Sequence, residues 1–165
     1  MADPLHEMFH YHTWATLRLL DHCAVLPAEQ LEYTAPGVYG TIQHTLAHLI
    51  TADAIYLARV TYDDSIRISD SASLSLGELR DHFVRQSHVW ENILDHLDEF
   101  DPTLPAREDH PDLPHALNLF LNQAIHHGND HRTHVCSILG ANGVAVPEID
   151  GWTYWFVTRQ ISLTD

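Results

Sequence analysis

Histidine fills 15 of the 165 positions of this chain, and imidazole is both the commonest metal ligand and the side chain that titrates near neutral pH. Number alone identifies no site, because solvated histidines without a function are common. Spacing says more. His127 and His131 stand four residues apart, and at about 100° per residue they share one helical stripe with Leu113, Phe120, Ala124 and Ile138. That stripe is the apolar, core-facing one, and it also holds His134 one turn on. Burying two imidazoles costs free energy unless each ring nitrogen has a partner, and the i,i+4 spacing lets two rings share one metal ion. Hydrogen bonds to other core groups would satisfy such a pair equally well, so a third ligand decides. His48 is the candidate, in the segment Thr45-Leu-Ala-His48-Leu-Ile-Thr-Ala-Asp53, on a helix otherwise rich in Leu, Ile and Ala that must pack against its neighbours.

The elements that position these residues are helices. The first is expected to begin at Pro4, a good first-turn residue, and to run through Phe9, Trp14, Leu17 and Leu20 to about Val25, ahead of Pro27. After a loop with Pro36, Gly37 and Gly40, Thr41 is the expected N-cap of a second helix, Ile42 to about Val60. Thr61 to Ser73 reads as a connection. Ser75-Leu-Gly-Glu78 then has the form of a capping box opening a third helix, expected to reach Phe100. Prolines and charges break the period from Asp101 to Pro114. A fourth helix follows from about His115 to Leu139, stopped by Gly140 and Asn142-Gly143. The tail, with Trp152, Tyr154, Trp155 and Phe156, is expected to form a short fifth helix whose aromatics pack into the core. No strand alternation, internal repeat or linker interrupts this pattern. The expected fold is all-α: a four-helix bundle with one or two crossover loops and a short C-terminal helix, residues 1–165 forming a single domain.

Composition excludes several function classes. Eight Arg plus Lys against 23 Asp plus Glu give a formal charge of -15, which repels phosphate backbones and anionic lipid headgroups, so no nucleic-acid or membrane partner is expected. No run approaches the roughly 20 apolar residues of a membrane span. The start Met1-Ala2-Asp3-Pro4 lacks the order of a signal peptide, and a cytoplasmic location is expected. Cys23 and Cys136 lack C-x-x-C spacing and are expected to remain free thiols.

The other histidines are weaker candidates. His44 shares the stripe of His48 and would replace it, or add a fourth ligand, unless it sits at the solvent rim. His10 lies on the stripe of Trp14 and Leu17 and is a candidate pocket wall, while His6 and His12 read as surface residues. His126 and His134 flank the pair as candidate proton carriers or walls. Asp53 falls roughly 140° from His48 on the helix, which makes it a helix–helix polar contact rather than a ligand.

The chain resembles the DinB-like (DinB/YfiT-like) metalloenzyme family. The resemblance runs along most of the chain: Tyr11-His-Thr-Trp14-Ala15 with Leu19-Leu20, then Leu26-Pro27, Gly40-Thr41-Ile42, Thr45-Leu-x-His48 and Ala52-Asp53, and finally His127-Gly128-x-x-His131-Arg132. It implies that His48, His127 and His131 bind one divalent metal ion, and that the protein forms a homodimer. The sequence departs from the family pattern at Asp130 and at Thr133-His134, and neither change removes a ligand.

Three neutral imidazoles leave at least one coordination position open, as in catalytic rather than closed structural sites. Zinc or nickel suits such a set best, with iron, cobalt or manganese as further choices. The metal would activate a bound water, or hold a low-molecular-weight thiol as thiolate for attack on an electrophile. Relatives implied by the resemblance include thiol-dependent transferases and isomerases, which use thiols such as bacillithiol or mycothiol, and a metal-dependent hydrolase. The expected function is that of a metal-dependent enzyme acting on a small molecule: first a thiol S-transferase, then a hydrolase. A noncatalytic metal-binding stress-response protein is the reading from outside the enzyme class.

Overall fold

The computed structural model describes residues 3–100, 103–104 and 115–159. Its elements are α1 (Pro4–Ala24), a single turn α2 (Ala28–Leu31), α3 (Ile42–Thr61), α4 (Leu76–Asp95), α5 (Leu117–Ala141) and α6 (Gly151–Arg159), with 3-10 turns at Asp64–Ile66, Ser71–Ser73 and Leu97–Glu99. Thr103–Leu104 pairs antiparallel with His115–Ala116 in a two-residue ladder. The protein is all-α in its architecture, and the four long helices form the bundle.

Local chemistry sets most helix starts. The Asp3 side chain accepts a hydrogen bond from the backbone N–H of Leu5, with Pro4 in the first turn. Thr41 accepts from the N–H of His44 and begins α3. Ser75 and Glu78 make both halves of the capping box at α4. The end of α4 differs from expectation: the helix stops at Asp95, and the chain tightens into a 3-10 turn before Phe100. The acidic run Asp95, Asp98, Glu99 explains the early stop, since negative charge at a helix C-terminus opposes the helix dipole. Helix α5 starts at Leu117, because His115 and Ala116 are engaged in the strand pair. The break expected over Asp101 to Pro114 lies outside the described residues apart from Thr103 and Leu104, and so does Leu113.

Two apolar clusters fill the bundle. One contains Leu19 and Leu20 of α1, Leu46 of α3, Phe83 of α4 and Ile138 of α5. The other contains Phe9 of α1, Leu57 of α3, Trp90 of α4 and Phe120 of α5. The order of these residues along each helix gives the topology: α1 and α5 run one way, α3 and α4 the other. Helices α3 and α4 are parallel neighbours, so residues 62–75 must travel the length of the bundle, and their two 3-10 turns pack against α3 on the way. This is the crossover expected from the sequence. Helix α1 packs on α4 and α5, and α3 packs on the same two, which leaves α1 and α3 diagonal across the core.

Between the two apolar clusters lies a polar layer. His12 and Thr16 of α1, Asp53 of α3, Gln86 and Ser87 of α4, and His131 and Arg132 of α5 are all buried at this level. Among the described residues no helix is long and apolar enough to cross a membrane.

Candidate metal centre

His48, His127 and His131 come together in the polar layer where α3 faces α5. One ring nitrogen from each lies within 4.8 Å of the other two. His48 Nε2 is 3.1 Å from His127 Nε2, and the rings of His127 and His131 are 4.2 Å apart between centroids, as the i,i+4 spacing requires. His48 and His127 are half-buried, His131 buried.

The electrostatics keep these rings neutral. Burial pushes the His48 imidazole below its ordinary 6.5, with His44 adding to the effect. His127 is lowered by burial and then by His48. His131 is lowered to about 4, by burial first and then by its neighbours His127 and His48. Neutral imidazole is the form that binds metal.

The donor set fits a divalent ion. The buried Nδ1 atoms of His127 and His131 have no hydrogen-bond partner among the described residues, so core hydrogen bonding does not account for placing these rings here. His48 differs: its Nδ1 lies 3.0 Å from the Tyr39 hydroxyl. With Nε2 free to bind an ion, Nδ1 carries the proton and donates to the Tyr39 oxygen, the outer hydrogen bond that usually orients a ligating histidine. The Tyr39 ring stacks on His48 at 4.2 Å and meets His131 edge-on at 4.9 Å. Sequence reasoning missed Tyr39, and its only signal was an aromatic residue in the turn just before the Gly40-Thr41 cap.

The remaining histidines separate. His44 is exposed and does not join the trio; it lines, with Glu32, Thr41, Gln43, His48 and Thr51, a cleft of about 320 Å³ beside His48. His134 stands 5.4 Å from His131 between ring centroids, its buried Nδ1 without a partner among the described residues. His10 is exposed, which removes it as a pocket wall, and His126 and Asp130 are exposed as well. Of the tail aromatics only Tyr154 is buried, its hydroxyl donating to Glu7 at 2.8 Å, while Trp152 and Trp155 stay exposed because the nine-residue α6 covers only one edge of α1.

His12 corrects the sequence reading. It is fully buried rather than on the surface, and it holds the centre of a hydrogen-bond network. Its Nδ1 lies 3.0 Å from Arg132 Nη1, and its Nε2 lies 3.2 Å from Asp53 Oδ2. A guanidinium has no acceptor, so Nδ1 must accept from it and the proton sits on Nε2, which donates to Asp53. Trp90 Nε1 donates to the same Oδ2 at 3.3 Å. Arg132 also donates to Thr16 and Asn129. Gly128 makes room for this packing, since a Cβ there would collide with the His12 ring and stand 2.9 Å from Arg132 Nη1. The expected role of Asp53, a polar contact between helices, agrees with these bonds to α1 and α4.

Comparison with known proteins extends the picture. The model of the DinB family matches residues 1–162. Protein DinB of Bacillus subtilis (strain 168) is similar at 21% identity over 168 residues, covering 96% of this chain and 98% of that protein.

Proposed function

Because the chain belongs to the DinB family, we propose that it is a metal-dependent enzyme in which His48, His127 and His131 hold one divalent ion, zinc or nickel, with a coordination position left for a small molecule. The observation that carries this reading is the convergence of three neutral imidazoles, two of them with buried nitrogens that no described group satisfies. When bound, the ion supplies Lewis acidity and activates a small nucleophile. The chain's own residues do the rest: Tyr39 fixes the tautomer of His48, and burial keeps protons from competing for the three rings.

Between the two nucleophiles considered, the surroundings favour water over an anionic thiol. The cleft beside His48 is lined by Glu32 and by uncharged polar groups, with no arginine among them, and the chain has no lysine at all. A thiol cofactor that carries carboxylates would meet repulsion there. Metal-assisted hydrolysis of a small neutral or cationic substrate is therefore the preferred reaction class, with thiol transfer as the second.

The test is elemental analysis and zinc titration of untagged protein. About one equivalent of metal in the wild type, lost in both His127→Ala and His48→Ala, supports the reading. A wild type that takes up neither zinc nor nickel overturns it. Ester and amide hydrolysis screens, run beside a thiol-conjugation screen, then separate the reaction classes, and zinc bound without turnover in any of them favours a noncatalytic role.

A further inference from the structure

Where the crossover passes α4, a cavity of about 290 Å³ is lined by Ser65 and Ile66 of the 3-10 turn Asp64–Ile66 and by His82, Arg85, Gln86 and Val89 of α4. The four α4 residues follow one another at helical spacing and form a single stripe. None of the six belongs to the histidine trio or to the His12 network. Ligand pockets usually hold roughly 300–1,000 Å³, so this one suits a small molecule.

Gln86 is 3% exposed. Its Nε2 donates to the Ile50 carbonyl at 3.1 Å, and this fixes the amide, because the reverse orientation would set Oε1 against that carbonyl oxygen. Oε1 is buried and has no partner among the described residues. A buried acceptor in the wall of a cavity calls for a donor from within it.

Arg85 supplies the opposite requirement. It is exposed at the same cavity, and among the described residues no carboxylate pairs with it, in a chain with 23 acids. The two acids beside Ser65 are engaged elsewhere: Asp64 accepts from Arg67 at 2.8 Å, and Asp63 from the backbone N–H of Ser65 at 2.9 Å. Burial, and then Arg85 itself, push the His82 imidazole below its ordinary 6.5. Arg85 therefore carries the positive charge of the cavity at neutral pH, and Ile66 and Val89 give it half-buried apolar walls.

We propose that this cavity is a second binding site, taking a small hydroxycarboxylate: the carboxylate pairs with Arg85, the apolar body lies against Ile66 and Val89, and the hydroxyl donates to Gln86 Oε1. The planar guanidinium matches a carboxylate, and a singly charged group meets less repulsion than a phosphate from a chain of formal charge -15. The site stands independently of the metal reading.

The probe is para-hydroxybenzoate, titrated into untagged protein and followed by NMR, beside benzoate, which lacks the donor, and para-hydroxybenzyl alcohol, which lacks the charge. Shifts are expected to centre on the Gln86 side-chain amide and the Val89 methyl groups. Para-hydroxybenzoate should bind about fivefold more tightly than benzoate, the worth of one net hydrogen bond, and Gln86→Met should erase that difference. Arg85→Gln should weaken para-hydroxybenzoate by about tenfold, as loss of a charge-assisted pair does, and leave the alcohol unchanged. Equal wild-type affinity for para-hydroxybenzoate and benzoate would assign the Gln86 oxygen to water and overturn the proposal. So would shifts centred on His48 and His127, or no shifts at all. The wild-type comparison of probes and the exposed Arg85→Gln decide the matter even where Gln86→Met does not fold.

Discussion

Two groups of histidine-bearing residues sit at the same level of the bundle, and the fold treats them in opposite ways. In the network of His12, Asp53, Trp90 and Arg132, nearly every polar atom has a partner, and the ring of His12 is fully enclosed. In the trio of His48, His127 and His131, the rings crowd one another, two buried nitrogens are left without partners among the described residues, and the edge toward Tyr39 is open to solvent. Groups that serve the fold are satisfied by the fold. The trio is left with ring nitrogens that no described group satisfies.

The contrast can be broken most forcefully at Arg132. Replacing it with methionine keeps much of the volume but leaves the Asp53 carboxylate buried without its compensating charge and His12 Nδ1 without a donor. Loss of one partner from a buried charged set costs about 3–5 kcal/mol, and urea denaturation in the presence of a chelator should show a loss of this size. His127→Ala in the same assay should change stability by about 1 kcal/mol, although it takes a ligand from the proposed metal centre. Comparable losses in the two variants would show that the trio carries the fold as well.

Acid offers a second way to sharpen it. In the folded, metal-free chain His131 titrates at about 4, against 6.5 when unfolded, and His48 and His127 are shifted in the same direction. The unfolded chain therefore binds more protons between these values. The stability that goes with neutral rings is fully present above pH 6.5 and is lost as the pH falls from 6.5 toward 4. Denaturation midpoints measured with chelator at pH 7.5 and pH 5 should fall accordingly, and His131→Asn should flatten the dependence. An unchanged slope in that variant would move the origin of the acid sensitivity elsewhere.

The smallest expected effect lies at Tyr39. Removing its hydroxyl takes away one hydrogen bond to His48 at a site that is 44% exposed, where water can substitute. A net loss of about 1 kcal/mol corresponds to zinc affinity about fivefold weaker in Tyr39→Phe by calorimetric titration. A much larger loss would place control of the centre on the loop rather than on the buried helices.

These comparisons also show what can be read from sequence. The helix starts were legible because Pro4, Thr41 and Ser75 with Glu78 act within the first turn, while the Asp3 cap came only with the structure. His127 and His131 were legible as candidates because helical periodicity puts them on one apolar stripe, and His48 because it interrupts an apolar helix and matches the family pattern; the fold shows that the three face one another. His12 was misread as a surface residue because nothing within one turn of α1 satisfies it: its partners lie 41 and 120 positions away, on two other helices. Gly128 carried a usable signal, a glycine between two histidines in mid-helix, where its cost demands a close neighbour. Tyr39 did not, because its position over the trio depends on how the loop after α2 returns to the bundle.

The separation of the candidate ligands along the chain has a consequence for the order of events in folding. His48 and His127 are 79 positions apart, on helices with all of α4 between them. Helices form locally and fast, while contacts at this distance wait for the chain to close a long loop. The three nitrogens meet only after α3 and α5 have docked, so no early folding species offers the complete set to an ion. An ion captured at that late stage leaves the speed of folding almost untouched and lengthens the lifetime of the folded state.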